Sequence, residues 1–581
     1  MTIFVAQGEN PIPGGIIMAT DHGTRMLQHL RHGADVLPDD APGAKAEADR
    51  LATVSLAGSV VAGHDVAEVS TPFGYLFDDL ADAFPQHHLP TGDPAGMTAR
   101  LTALGTAMVE QAPADPAGNS VIPAVYTYWG QFIDHDITAN TDRKTLFSDV
   151  AVEVVEPRTP ADVTTGLRNL RQPALNLDSV YGDGPQGASA ALYDGPALRV
   201  GRVALTTDAG DPVPGQRVTP EGDDSHDLFR DGTTAVIGDG RNDENLVVAQ
   251  FHVAFLRFHN AVLEWVRVNE PHLIGRALFR RVRDLVRFHY QWLVVHDYLK
   301  TVTATGTVDQ ILLGGNRVFR PRHDTYMPLE FSVAAYRFGH SMVRGAYDFN
   351  LNFGRNPDGT ALLPTAPFGL LFAFTGGARP APFNGGGTTT LPFNWVIDWN
   401  RFVHKGDGDA THFARRIDTR LVPPLTQMVN QVTPDDEAQL PDLLQAVLRH
   451  LAVRNLLRGY SLAIPTGQAV AAALGVPALT TAELQAGNGD ELNRALTDGG
   501  FLEATPLWFY LLKEAEVKSN GNALGPAGSR IVAETLIGQI RADEGSYLHR
   551  GWTPARGVRF PDGGLIVSIS DLFRFAGVLP A

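Results

Sequence analysis

The sequence predicts a mostly α protein with long connections and few short strands. Three observations carry that expectation: apolar residues recur every three to four positions in several long stretches, alternating patterns are scarce, and glycine and proline are plentiful, at 59 and 39 of 581 residues. Tyr128, Trp129, Phe132, Ile133 and Ile137 form a first helical stripe, and Leu246, Val247, Phe251, Ala254, Phe255, Phe258 and Val262 a second. Arg280 to Leu299 reads as a third helix through Val282, Leu285, Val286, Tyr290, Leu293 and Val294, and Leu440 to Leu457 as a fourth. Turn-rich runs at Asp39 to Ala46, Pro90 to Gly96, Ala112 to Asn119, Thr206 to Asp227 and Gly376 to Leu391 punctuate the chain. No repeat at a fixed period is visible.

Composition narrows the function classes. Hydrophobic residues at 44% and charged residues at 19% describe a globular chain with material for a large core. A net charge of −17 repels phosphate backbones and anionic lipid, so nucleic acid is not an expected partner. The absence of cysteine excludes disulfides, iron-sulfur clusters, thiolate-ligated haem and cysteine nucleophiles. The opening MTIFVAQGENPIPGG has neither the basic stretch nor the apolar run of a classical export signal, which leaves localisation open. Leu362 to Thr375 is apolar but short and broken by Pro364, Pro367 and Gly369, so no membrane span is expected.

Three segments carry chemistry. In YTYWGQFIDHDIT, Tyr126 to Thr138, helical spacing puts Gln131, Asp134 and His135 on one face, with Asp136 turned about 100° from His135. One helix could then show an acid/base group to one compartment and a carboxylate to another; helix capping or a surface position fits the spacing equally well. GDGRNDENL, Gly238 to Leu246, opens the second stripe with Asn242 or Asp243 as a candidate cap, and its Arg241 and Glu244 are spaced as an ordinary surface pair. In EFSVAAYRFGHSMVR, Glu330 to Arg344, His340 lies among Phe338, Met342 and Val343 after Gly339, a setting that suits a haem ligand or a satisfied core histidine.

Taken together and in this order, WGQFIDHD, GDGRNDE followed by LRFHN, and AAYRFGHSMV resemble the distal-histidine, distal-arginine and proximal-histidine motifs of the animal-type haem peroxidase (peroxidase-cyclooxygenase) superfamily, especially its bacterial members. ALNLDSVYG, NLLRGYSLAIPTGQ, PLWFYLLKEAE, GSRIVAE and SYL extend the likeness. The resemblance implies a large single-domain fold of the myeloperoxidase/cyclooxygenase type over residues 66–575, preceded by an arm, 1–65, and followed by a tail, 576–581. It implies His340 as the iron ligand, its second ring nitrogen donating to Asn455. It further implies His135 as distal base, Arg241 as stabiliser of the charge that develops on O–O cleavage, and Gln131 in the same pocket. Asp134 and Glu244 match carboxylates that form ester links to a haem b-derived cofactor, and Arg337 matches a partner of a haem propionate. Asn245 stands where myeloperoxidase has methionine, so a sulfonium link, and with it chloride oxidation, is not expected. Asp136, with Asn176, Asp178 and the carbonyl of Ala174, matches a calcium site.

The function so implied is reduction of hydrogen peroxide via a ferryl intermediate with oxidation of small organic donors, halide or thiocyanate. Two alternatives stand beside it, a haem-dependent fatty-acid dioxygenase and a peroxinectin-like adhesion protein on the same fold. The dioxygenases carry a tyrosine three residues before the proximal histidine, where this chain has Arg337. Oligomeric state is not legible.

Overall fold

The structure, a computed structural model, describes residues 71–110, 117–139, 150–187, 189–321, 325–376, 387–403, 413–428 and 440–580. The expected arm, residues 1–65, and the turn run Asp39 to Ala46 lie outside them. Helices dominate, and the strands are short. β1 (Thr71–Gly74) lies between β2 (Arg168–Asn169), antiparallel through Thr71↔Asn169, and β3 (Met327–Pro328), parallel through Phe73↔Met327. The other described sheets have two strands each. Where the chain leaves β1, the buried Glu330 carboxylate accepts from the Leu76 and Phe77 N–H groups at 2.7 and 3.3 Å. The strand is thereby tied to the segment that runs on to His340.

Three helices form the centre: α1 (Val125–Ile137), α2 (Leu246–Asn269) and α3 (Gly275–Leu293). Their apolar stripes bury aromatic rings against one another. Phe132 of α1 stacks on Phe255 of α2 at 4.8 Å between centroids and tilts against Phe251 at 5.0 Å, while Phe255 meets Tyr290 of α3 edge-on at 5.7 Å. Such ring pairs add directional preference to area burial, so rotation of α1 about its axis is fixed by the core. Beyond α1 lie α4 (Leu451–Ser461), α5 (Leu507–Ser519) and α6 (Pro526–Ala542). Trp508 of α5 donates Nε1–H to the Arg337 carbonyl at 3.2 Å, docking the His340 segment on that helix.

Several expectations need correction. Arg280 to Leu299 is not one uniform helix: α3 begins at Gly275, ends at Leu293, and passes through a wide i→i+5 turn, Val294–Tyr298, into the short Leu299–Val302. Such turns cluster at functional sites, and Tyr298 here reaches the cavity described below. Leu440 to Leu457 is divided into Asp442–Arg449 and α4 by His450, whose backbone at φ −97°, ψ 100° leaves the helical region and whose ring accepts from the Val453 N–H, capping α4. The cap of α2 is Asn245, accepting from the Val248 N–H at 3.1 Å, rather than Asn242 or Asp243. Residues 576–580 are no loose tail, since Ala576 and Leu579 are buried. Among the described residues α2 is long and apolar enough to cross a membrane, but 83% of its apolar window is buried inside the protein. That apolarity belongs to the core.

Replacing Phe132 by Ala removes the ring that links α1 to α2, and should cost about 3–5 kcal/mol, read as a lower urea midpoint at unchanged slope. An unmoved midpoint would contradict this account of the core.

Candidate functional site

A cavity, partly open to solvent, lies between α1, the start of α2 and the turn Ala335–His340. Gln131, Asp134, Arg241, Glu244, Arg337 and His340 all border it. Three stretches far apart in sequence thus converge on one space, and Arg241 with Glu244 is a buried wall rather than a surface pair.

On the α1 side, successive turns present Thr127, Gln131, Asp134 and Thr138 to the cavity. Thr138 Oγ1 donates to Asp134 Oδ1 at 2.7 Å, and Gln131 Oε1 accepts from Asn245 Nδ2 at 3.1 Å, so Asn245 caps α2 with its oxygen and orients Gln131 with its nitrogen. His135 differs from expectation. The partly exposed residues of α1 are Gly130, Gln131 and Asp134, and His135 beside them is fully buried and not in the lining itself. Its Nδ1 lies 2.8 Å from Asn242 Oδ1, and Asn242 Nδ2 lies 3.0 Å from His252 Nδ1. An amide oxygen only accepts, so Nδ1 of His135 holds the proton and Nε2 the lone pair. Burial first, and the Arg241 charge second, push the imidazole down to about 3.

Arg241 is held by a buried carboxylate that the sequence reading did not single out. Asp239 Oδ2 accepts from Arg241 at 2.7 Å and from Arg171 at 2.5 Å, and all three side chains are essentially inaccessible to solvent. Burial alone would raise the Asp239 carboxyl, but the guanidiniums, Arg241 before Arg171, hold it well below the usual carboxylate range. Arg241 also donates to the carbonyls of His135 and Thr138 at 2.9 and 2.7 Å, joining this turn to the end of α1. The clue in the sequence was Asp239 two positions before Arg241; Arg171 and His252 left none, because tertiary packing alone brings them in.

Across the cavity, His340 Nδ1 lies 2.9 Å from Asn455 of α4, the expected partner. The direction is reversed, however. Arg337, which can only donate, claims Asn455 Oδ1 at 3.0 Å, so the amide nitrogen faces His340 and donates to it. An acceptor that drew Arg337 away, such as the propionate expected for it, would free the amide to turn over. Arg337 Nε also donates to the Ser332 carbonyl at 3.0 Å.

Of the residues expected to bind calcium, Asp136 and Asp178 lie close enough for their charges to interact. Asp136 is fully buried on the side of α1 away from the cavity, accepting from the Leu177 and Ser179 N–H groups at 3.1 and 3.4 Å. Burial first and the Asp178 charge second push it up to about 7. Asn176 Oδ1 instead accepts from the Asp178 N–H at 3.2 Å, and the Ala174 carbonyl accepts from Gln291 at 3.3 Å. Among the described residues no group of three imidazoles or carboxylates gathers around these positions. Calcium enters no step below.

Haem fits the cavity by the chemistry of its walls. Aromatic and aliphatic side chains, among them Phe338, Phe368, Leu371 and Met428, suit the macrocycle, Arg337 suits a propionate, and His340 suits iron. Residues 172–364 match the family model for animal haem peroxidase. Over that stretch, a third of the chain, it is similar to animal haem peroxidases. The matched stretch contains Arg241, Glu244, Arg337 and His340; α1 stands outside it and joins the site through the fold. Heme peroxidase 2 of Caenorhabditis elegans is 27% identical over 180 residues, covering 30% of this chain and 24% of that protein. A peroxidase-like protein of Margaritifera margaritifera is 27% identical over 255 residues, 38% of this chain and 32% of that protein. The chain thus spans a third or less of these relatives' length. Among solved structures, peroxidase A from Dictyostelium discoideum has a TM-score of 0.52 at 16% identity, covering 88% of this chain and 94% of that one. The fatty acid alpha-dioxygenase of Oryza sativa has a TM-score of 0.51 at 12% identity, covering 82% and 76%. At such identities the likeness is one of fold, and the mostly α peroxidase-cyclooxygenase fold is the one expected.

Replacing Asp239 by Ala leaves two guanidiniums buried without their counter-ion, and should cost about 3–5 kcal/mol, seen as a lower melting temperature. A variant melting with the parent would show that the triad does not organise this wall.

Proposed function

We propose that the protein is a haem peroxidase that reduces hydrogen peroxide and oxidises small organic donors or halide and thiocyanate ions. The observation that carries this reading is one cavity with Arg241, Asp134 and the adjoining His135 on one side and His340 on the other. Haem bound there supplies the two-electron redox chemistry. His340 would hold the iron, Arg337 would bind a propionate, and Asp134 and Glu244 border the cavity where ester links to the macrocycle would form.

The chain's own residues then manage protons and charge. Nε2 of His135, kept unprotonated by the Asn242 contact, takes a proton from hydrogen peroxide and returns it to the departing oxygen, which leaves as water. Arg241, fixed by Asp239, offsets the negative charge that develops as the O–O bond breaks, and its preset geometry spares reorganisation at that moment. Gln131, oriented by Asn245, offers a polar site in the same pocket. Against the dioxygenase alternative stands position 337, an arginine donating to Ser332 and Asn455 where those enzymes carry a tyrosine.

Replacing His135 by Ala in the haem-loaded protein should slow the stopped-flow reaction with peroxide by roughly 10²–10⁴ while haem stays bound. Because the imidazole's affinity for a proton is lowered to about 3, it stays neutral through mild acid, and the parent rate should be flat. Parent speed in the variant, or a parent rate that falls with an inflection near about 6.5, would contradict the assigned role.

A further inference from the structure

The cavity is also lined by four tyrosines, Tyr126, Tyr128, Tyr298 and Tyr336, none of which the peroxide step uses. Three of them form a contiguous group with Trp129. Tyr126 stacks on Tyr298 at 6.3 Å, Tyr298 lies 6.4 Å from Tyr336, and Trp129 lies 5.6 Å from Tyr126 and 5.3 Å from Tyr298. Phenols and indoles are the side chains most easily relieved of one electron, and rings in this contact pass an electron readily.

What sets Tyr126 apart among these four tyrosines is a carboxylate at its hydroxyl: the O–H donates to Asp297 Oδ1. Asp297 is itself fixed, its Oδ2 accepting from the Ile569 N–H at 2.7 Å. Trp129, by contrast, is fully buried and its indole N–H has no acceptor. Loss of an electron makes a phenol a strong acid, so oxidation of tyrosine is easy only where a base stands ready for the proton. Trp129 can relay a charge, but only Tyr126 has the partner needed to keep it.

We propose that Tyr126 and Asp297 form a second redox site, a tyrosine that gives one electron to the peroxide-oxidised haem and its proton to Asp297. The proposal rests on the peroxidase reading, which supplies the oxidant. In the forward step one electron leaves the Tyr126 phenol and reduces the cofactor by one equivalent; the O–H bond breaks, a new O–H bond forms on Asp297, and a neutral tyrosyl radical remains. A one-electron organic donor then restores the phenol, which takes its proton back from Asp297. Burial pushes the Asp297 carboxyl up to about 6, which makes it a better proton acceptor than an exposed carboxylate and still ionised at neutral pH. The pair lets one of the two oxidising equivalents wait on the protein, away from the iron.

The test mixes the haem-loaded full-length protein with one equivalent of hydrogen peroxide, follows its visible spectrum, and freezes samples for electron paramagnetic resonance. A tyrosyl signal that narrows with ring-deuterated tyrosine is expected in the parent, with loss of that signal in Tyr126→Phe and a large loss in Asp297→Asn. Tyr126→Phe removes one oxygen and keeps the ring, and an unchanged haem spectrum before peroxide confirms that the site is intact. A signal that survives in Tyr126→Phe, or full signal in Asp297→Asn, overturns the proposal. Spectral reaction of the haem without any tyrosyl signal overturns it alone; a haem spectrum unmoved by peroxide overturns the peroxidase reading and this proposal with it.

Discussion

One carboxylate, shut away from water and shared by two guanidiniums, is the constraint on which the site depends. Asp239 binds Arg171 and Arg241 together, and Arg241 in turn grips the last carbonyls of α1. Three buried ionised groups are tolerable only where each charge has an opposite charge against it, and Asp239 serves both guanidiniums. That requirement fixes the position of the turn Gly240–Asp243 relative to α1, and so of Arg241 relative to His135. Burial first, and the Arg241 charge second, discourage protonation of His135, which keeps its imidazole neutral next to an arginine. Stabilising the wall and preparing its chemistry are one arrangement.

The two sides of the cavity are built differently. The α1 side is held by the aromatic core beneath it and by the triad, and its polar groups are engaged with one another: Thr138 with Asp134, Asn245 with Gln131, Asn242 with His135. The His340 side sits on a turn rather than a long helix, with Asn455 bonded to the ring and Trp508 to the backbone. Arg337 couples them, since the acceptor it chooses decides which atom Asn455 turns to His340. A wall whose polar groups are engaged with one another therefore faces one whose hydrogen bonding turns on Arg337.

Much of this was legible in the residues. The stripe Tyr128 to Ile137 announced α1 and its burial, and the three motifs come together around one cavity, lined by Arg241 and His340 with His135 buried beside it. Other features were hidden because they depend on contacts between distant segments. Periodicity could not show that His450 breaks a helix by turning its ring back to cap the next one, nor that α3 passes into a wide turn at Val294. Helical spacing put His135 and Asp134 on one face, but only the packing of Phe132 decided which edge of that face opens to the cavity. Tyr126 with Asp297, 171 positions apart, left no mark in the sequence.

The central claim is that this cavity is a haem site ligated by His340. Its most direct measurement is an optical titration of the purified chain, stripped of cofactor, with ferric haem. One equivalent should saturate binding and give the absorption band of a histidine-ligated iron, and His340→Ala should abolish that band; saturation at no definite ratio, or the same spectrum in the variant, would contradict the account.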